Sequence, residues 1–267
     1  MPMHELPGRH VSLFADPQGP RGAGMRPLVL LNGLSQSTAN WMTHVRAWRD
    51  TRPTLAYDAR GQGRSELGGV PYDLGTHIDD LAALLDLLGI GEVDLCGFSH
   101  GARVALGFAA RHPGRVGRLV LTSTGADGDA RRVAIVTSWR HVLRLGGIEA
   151  LAWASLPTIL GSEYLATLGS LDPVVRATVQ RNRAEGLEAL LEGMERYGDA
   201  LEDAARVTAP SLLITSDDDP LVAPAAALRL AQVLGARHER WQGAGHTLPI
   251  ERPEAWRSVV EGFLNGR

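Results

Sequence analysis

Apolar residues recur along this chain in two rhythms. Short β-rich runs occur at His10–Phe14, Leu28–Leu31, Thr54–Tyr57, Val93–Cys96, Arg118–Leu121, Ser211–Thr215 and His238–Trp241, with longer stretches of helical spacing between them. The inner runs, such as Leu28-Val29-Leu30-Leu31 and Leu119-Val120-Leu121, are apolar without a break. A strand with one wet face alternates in polarity, whereas a strand covered on both faces does not. Strands alternating with helices in this way predict crossover units, hence an α/β fold with a mostly parallel central sheet covered by helices on both faces.

Three helices are readable in detail. Asp73–Leu88 places Leu74, Ile78, Leu81, Leu84, Leu85 and Leu88 three and four positions apart and stops at Gly89, the pattern of an amphipathic helix with a glycine cap. Ala102–Arg111 is halted by Pro113, which cannot continue a helix. Pro253–Leu264 opens with proline in its first turn and keeps Trp256, Val259, Val260 and Phe263 on one face.

From Asp127 to Arg206 the strand rhythm is missing, and stretches of helical spacing carry Trp139, Trp153, Tyr164 and Tyr197. A block of about 80 residues is far too long for a connecting loop. It reads as a helical cap inserted between two strands, giving a core of residues 1–126 and 207–267 with a cap over 127–206. Trp139 and Trp153 suit either the lining of an acyl or aromatic pocket or packing within the cap. Arg131, Arg132, Arg140 and Arg144 come close together with no carboxylate among them, which suits a solvated helix face or a contact for an anionic substrate.

Composition narrows the function. The chain has 267 residues, 44% of them hydrophobic, and a formal charge of −3. That is enough to bury a large core and offers no bulk attraction to nucleic acid. All 27 basic residues are arginine, so neither a lysine aldimine nor a Walker-type phosphate loop can be built. The single cysteine, Cys96, has no disulfide partner in the chain and reads as a small core residue. No His, Cys and carboxylate cluster has ligand spacing, so no metal and no cofactor is expected. No run approaches the roughly 18 apolar residues of a membrane span. Met1–Arg9 holds His, Glu, Pro and Gly where a leader would need an apolar segment. These features point to a cytoplasmic protein without a membrane anchor; its oligomeric state is not legible.

The chemistry centres on Gly97-Phe98-Ser99-His100-Gly101, which follows a strand-like run and opens a helix-like one. In that context Gly-x-Ser-x-Gly is a specific signal. The serine must sit on a strained, very tight turn, and the positions two before and two after it must lack bulk because strand and helix press together there. The backbone amide of His100, at the helix start, is placed to stabilise developing negative charge. A serine hydroxyl needs a base and an acid behind it. His246, in Gly243-Ala244-Gly245-His246, follows the last strand-like run and is the best placed histidine, whereas His44, His77 and His112 suit structural or surface roles. His100, directly after Ser99, lacks the geometry of a base. The acid should close the preceding strand, where Asp217, Asp218 and Asp219 stand side by side; position alone does not choose among them.

With serine, acid and histidine in that order, the chain resembles the α/β-hydrolase superfamily over essentially its full length, in its serine-nucleophile branch. Leu30-Leu31-Asn32-Gly33-Leu34 resembles the oxyanion motif at a strand end, with Asn32 where histidine is usual. Tyr57-Asp58-Ala59-Arg60-Gly61-Gln62-Gly63-Arg64-Ser65 matches the family's Asp-x-Arg-Gly-x-Gly-x-Ser turn. Ser216 to Pro224 is similar to the acid loop, with Ser216 in place of glycine. The resemblance implies Asp219 as the acid, Asp218 being next, and the amide of Leu34 as a second oxyanion donor beside that of His100. It is closest in layout to carboxylesterases and 3-oxoadipate enol-lactonases, and a serine nucleophile separates it from the aspartate-dependent dehalogenase and epoxide hydrolase branches. The implied activity is hydrolysis of a small-molecule carboxylic ester or lactone through an acyl-enzyme on Ser99. The alternatives are acyl transfer by the same acyl-serine and a non-catalytic ligand-binding protein on the same fold.

Overall fold

The computed structural model describes residues 3–20, 25–69, 72–126 and 130–266. Eight strands, β1 (Met3–Leu6), β2 (Val11–Gln18), β3 (Leu28–Leu31), β4 (Thr54–Tyr57), β5 (Val93–Phe98), β6 (Val116–Thr122), β7 (Ser211–Ser216) and β8 (Arg237–Trp241), form one sheet. Their order is β1-β2-β4-β3-β5-β6-β7-β8. β1 pairs antiparallel with β2 and β2 with β4, while every pairing from β4 to β8 is parallel. This is the expected α/β class, with one more strand than the seven apolar runs. The extra strand, Met3-His4-Glu5-Leu6, has two polar residues at its centre and buries only Leu6 fully, so an edge position left it without an apolar signature.

The unbroken apolar strands are buried from end to end, β3, β4, β5 and β7 at every residue. Alternate residues feed opposite cores. Val29 and Leu31 join one cluster, which includes Ile78, Leu81 and Leu85 of helix α2 (Leu74–Leu87) and Leu106 and Phe108 of α3 (His100–Arg111). Leu28 and Leu30 join the other, with Trp48 of α1 (Met42–Trp48) and Trp41 in the 3-10 turn Thr38–Trp41 before it. α2 starts where Asp73 accepts the Thr76 N–H at 2.7 Å, an ordinary side-chain cap. α3 begins at His100 rather than at Ala102, because the chain turns straight from Ser99 into the helix.

Among the described residues, five helices lie between β6 and β7: α4 (Ala130–Ile159), α5 (Ser162–Thr167), α6 (Asp172–Arg181), α7 (Ala184–Met194) and α8 (Ala200–Ala204). α4 breaks at Gly147, whose φ of 71° is outside the helical range. The expected cap boundary at Asp127 lies outside the described residues, as does Met1 at the start; Arg206 falls between α8 and β7. Val136, Trp139, Leu151 and Leu187 of this insertion are buried in the same cluster as the sheet, and only a small group around Ala152, Leu156 and Val175 packs by itself. The chain closes with α9 (Pro224–Leu234), α10 (Leu248–Glu251) and α11 (Pro253–Leu264). Trp256 of α11 packs between Trp41 and Trp48, with ring centroids 5.8 and 6.2 Å away. Its Nε1–H donates to Thr122 Oγ1 at 3.0 Å.

Candidate active site

Ser99 sits between β5 and α3 with φ 52° and ψ −114°, a conformation that costs a non-glycine residue of order 1–3 kcal/mol. The neighbouring glycines show what holds it. A Cβ on Gly97 would lie 2.4 Å from the Gly101 carbonyl oxygen, and one on Gly101 would lie 2.4 Å from that of Leu31. Strand and helix are in backbone contact at both positions, and the serine hydroxyl is turned out at the strand ends.

The turns after β7 and β8, which are neighbours in the sheet, bring the other groups to it. Ser99 Oγ donates to His246 Nε2 at 2.8 Å, and His246 Nδ1–H donates to Asp219 Oδ2 at 2.6 Å. Asp219 and His246 are 4% and 5% exposed, so the bond between them is buried, while Ser99 faces the cavity. The second carboxylate oxygen of Asp219 accepts the Leu221 N–H at 2.8 Å, which leaves Oδ2 facing the imidazole. The three adjacent aspartates are thereby told apart. Asp217 pairs with Arg240 at 2.9 Å and Asp218 accepts the Gly243 N–H at 2.6 Å. Ser216, where the motif usually has glycine, donates its hydroxyl to the Ala244 carbonyl and so ties the acid loop to the histidine loop.

Leu34 and His100 line the same cavity as Ser99. Among the described residues neither backbone amide donates to a protein acceptor. The loop carrying Leu34 is strapped from below: Gln62 Nε2 donates to the Gly33 carbonyl at 2.8 Å, Asn32 Nδ2 to that of Tyr57 at 3.0 Å, and Trp41 Nε1 to Asn32 Oδ1 at 2.8 Å. The turn after β4 supplies that strapping. Asp58 accepts the N–H of Thr38 at 2.6 Å and of Arg64 at 3.0 Å, Arg60 forks onto Asp80 at 2.8 and 2.9 Å, and Gly63, with φ 48°, leaves room for the Asp58 carboxyl. Burial raises the Asp58 carboxyl above its ordinary range, opposed by those hydrogen bonds.

The side chain of His100 does something else. Burial lowers its pKa to about 4, and it accepts the Tyr197 hydroxyl at 2.8 Å. Burial also raises the Tyr197 phenol, so the phenol keeps its proton. His77 packs edge-on against His100 at 5.0 Å and is lowered further by burial. His44, likewise lowered to about 4 by burial, bonds the Pro249 carbonyl at 2.9 Å among Trp41, Trp48 and Trp256. Cys96 is buried in that tryptophan-rich core, and burial raises its thiol.

A cavity of about 260 Å³ opens over Ser99, walled by the insertion together with the loops at the strand ends and the start of α9. Trp139, Leu151, Leu156 and Val174 make it apolar, and Arg103 and Arg132 are the charged residues on it. Trp153 is 42% exposed and stands outside it. Of the four clustered arginines, Arg140 pairs with Glu195 at 3.2 Å and Arg144 with Glu188 at 2.6 Å. Their carboxylates come from α7 and the turn after it, too far along the chain for local spacing to reveal.

Sequence reasoning missed three residues here: Arg103, Ser123 and Glu251. Arg103 lines the cavity one turn into α3 and donates to the Gly198 carbonyl at 2.7 Å. Ser123, with φ 54° at the end of β6, donates its hydroxyl to the His246 carbonyl at 2.7 Å. The small polar run Thr122-Ser123-Thr124-Gly125 directly after a strand was the available signal for it. Glu251 holds both residues flanking His246 through their amides. Among the described residues no group of three or more His, Cys, Asp or Glu is placed to hold a metal ion, and no helix is long and apolar enough to cross a membrane.

Comparison with known proteins agrees with this architecture. Residues 26–253 match a family model described as alpha/beta hydrolase fold. A Caulobacter vibrioides protein named "Putative carbamate hydrolase RutD" is 27% identical, covering 100% of this chain and 98% of its own. The 3-oxoadipate enol-lactonase 2 of Acinetobacter baylyi is 23% identical over 91% of this chain and 90% of its own. The crystal structure of the enol-lactonase from Burkholderia xenovorans LB400 superposes with a TM-score of 0.86 at 28% identity, covering 99% of this chain and 100% of that one.

Proposed function

This chain belongs to the alpha/beta hydrolase fold family, and from that premise we propose that it is a serine hydrolase cleaving a carboxylic ester or lactone through an acyl-enzyme. The observation that carries the reading is the unbroken chain from Ser99 Oγ to His246 to Asp219, with both bonds under 3 Å and the hydroxyl facing a cavity. His246 Nε2 takes the hydroxyl proton as Ser99 Oγ adds to the substrate carbonyl. Asp219 holds the imidazole in the tautomer with Nδ1–H and stabilises the imidazolium that forms. The amides of Leu34 and His100 bind the tetrahedral oxyanion; one such donor is worth about 10²–10³ in rate. The imidazolium returns its proton to the leaving alkoxide, releasing the alcohol. Water, deprotonated by His246, then adds to the acyl carbon, the bond to Ser99 Oγ breaks, and the imidazolium returns the proton to Oγ as the acid is released. In this reading the helices between β6 and β7 are a cap that shapes the acyl site, and its apolar wall favours an apolar acyl or alkyl group. The steps need no metal or cofactor.

The test is labelling by a fluorophosphonate probe together with a panel of p-nitrophenyl esters of rising chain length, simple lactones and an aryl carbamate. The reading expects Ser99 to be labelled stoichiometrically, the label to vanish in Ser99→Ala, and esters or lactones to turn over faster than the carbamate. An unlabelled Ser99 overturns it in favour of a binding protein. Product transfer to an added alcohol in place of hydrolysis overturns it in favour of an acyltransferase.

A further inference from the structure

Glu251, the last residue of α10, is 8% exposed, and none of the ion pairs among the described residues involves it. A carboxylate removed from water without a cationic partner is costly unless hydrogen bonds replace its hydration. Four do so here. Oε2 accepts the N–H of Gly245 at 2.7 Å and of Gly161 at 3.0 Å. Oε1 accepts the N–H of Thr247 at 3.0 Å and its hydroxyl at 2.8 Å.

The donors divide in a telling way. Gly245 and Thr247 flank His246, so the carboxylate grips the histidine loop on both sides. Gly161 belongs to the insertion, at the N-terminal edge of α5. The two segments cross in backbone contact: a Cβ on Gly161 would lie 2.5 Å from the Gly245 nitrogen, and one on Gly245 would lie 2.4 Å from that of Gly161. The backbone N–H of His246 itself donates to the Ile159 carbonyl at 2.8 Å. The loop that aims the imidazole is therefore hydrogen-bonded to the insertion directly and, a few ångströms away, through one shared carboxylate.

We propose that Glu251 is a positioning residue that locks His246 to the seated insertion, so that proton transfer at Ser99 is competent only while the Ile159–Gly161 segment rests on the histidine loop. This inference rests on the hydrolase reading above. An ionised carboxylate only accepts hydrogen bonds, which suits four converging donors. The amide of glutamine has the same shape but turns an NH₂ group toward two of them, whichever way it is oriented. Lifting the Ile159–Gly161 segment removes one bond from His246 and one from Glu251, loosening the base as the cavity opens.

The experiment pairs steady-state kinetics of Glu251→Gln on a short p-nitrophenyl ester with amide hydrogen exchange on the full chain. The expected result is a kcat lower by about 10- to 100-fold, the loss typical of a misplaced catalytic group, with KM changed by less than about two-fold. Fluorophosphonate labelling of Ser99 slows in proportion, and the amides of Gly161, Gly245 and Thr247 exchange faster together while those of β3, β5 and β6 keep their protection. A lower melting temperature with kcat unchanged shows a merely structural residue and overturns the inference. Should Glu251→Gln fail to fold, the wild-type exchange decides: Gly161, Gly245 and Thr247 opening as one cooperative unit supports the lock, and Gly161 opening independently of the other two overturns it. Because exchange needs no substrate, inactivity of the wild type toward every ester would count against the hydrolase reading and leave this coupling measurable.

Discussion

Ser99, Asp219 and His246 stand on turns after β5, β7 and β8, whereas much of the apolar wall facing them comes from the segment between β6 and β7. The two regions are held differently. β5 and β7 bury every residue, and a Cβ at Gly97 or Gly101 would meet backbone at 2.4 Å, so the backbone itself fixes the turn that carries Ser99. In the insertion, α5 buries none of its residues fully, α6 buries only Val175, and the wall is made of side chains such as Trp139 and Leu156. Backbone collisions tolerate no substitution, while side-chain walls accept many at modest cost. Under the proposed reading, the difference puts the chemistry on the strand ends and substrate selectivity on the insertion, with the Ile159–Gly161 contact to the histidine loop as a place where the two meet.

Four measurements would break or sharpen that division. The largest effect belongs to Ser99→Ala, which should lower ester turnover by about 10⁶ while the circular dichroism spectrum and melting temperature are retained; residual turnover within about 10² of wild type would remove the sheet's claim on the chemistry. Next, Asp219→Asn should cost about 10⁴ in kcat by releasing the imidazole tautomer. Asp218→Asn, which alters only a partner of the Gly243 amide, should stay within about ten-fold of wild type. Equal losses in the two variants would mean that the acid loop works as a unit rather than through one carboxylate.

The third is a pH effect on stability. His44 in the core and His100 at the junction with the insertion each have a pKa lowered to about 4 by burial, against about 6.5 in an unfolded chain. Between those values the unfolded state binds protons that the folded state refuses. Stability is therefore complete above about pH 6.5 and falls as pH drops toward 4, by up to about 3 kcal/mol for each histidine. Urea unfolding at stepped pH should show this decline, and His44→Phe should flatten it by one residue's share. A decline left unchanged by His44→Phe would locate acid sensitivity at the His77–His100 pair near the insertion rather than in the core.

The smallest effect is expected from the insertion. Trp139→Ala should change kcat/KM for a long-chain ester by about ten-fold, in the range one pocket contact supplies, while acetate turnover stays within about two-fold. If acetate turnover collapsed as well, the wall would belong to the catalytic apparatus and the division would fail.

Periodicity and punctuation alone determined a good deal. Unbroken apolar runs announced strands buried on both faces, Gly89 and Pro253 marked helix ends, and Gly97 and Gly101 around Ser99 announced a turn that only small residues permit; each is a local steric or solvation rule that a few adjacent residues state in full. β1, polar at its centre and held at the sheet edge, gave no such statement. Nor could the sequence rank Asp217, Asp218 and Asp219 by position, because their difference lies in what each meets: Arg240, the Gly243 amide and His246. The partners of Arg140 and Arg144, the grip of Ser123 on His246 and the four donors around Glu251 were equally hidden. A hydrogen bond acts over about 3 Å between groups that the chain separates by tens of residues, so only the folded topology, which sets strand ends side by side and lays the insertion across them, decides which polar groups meet.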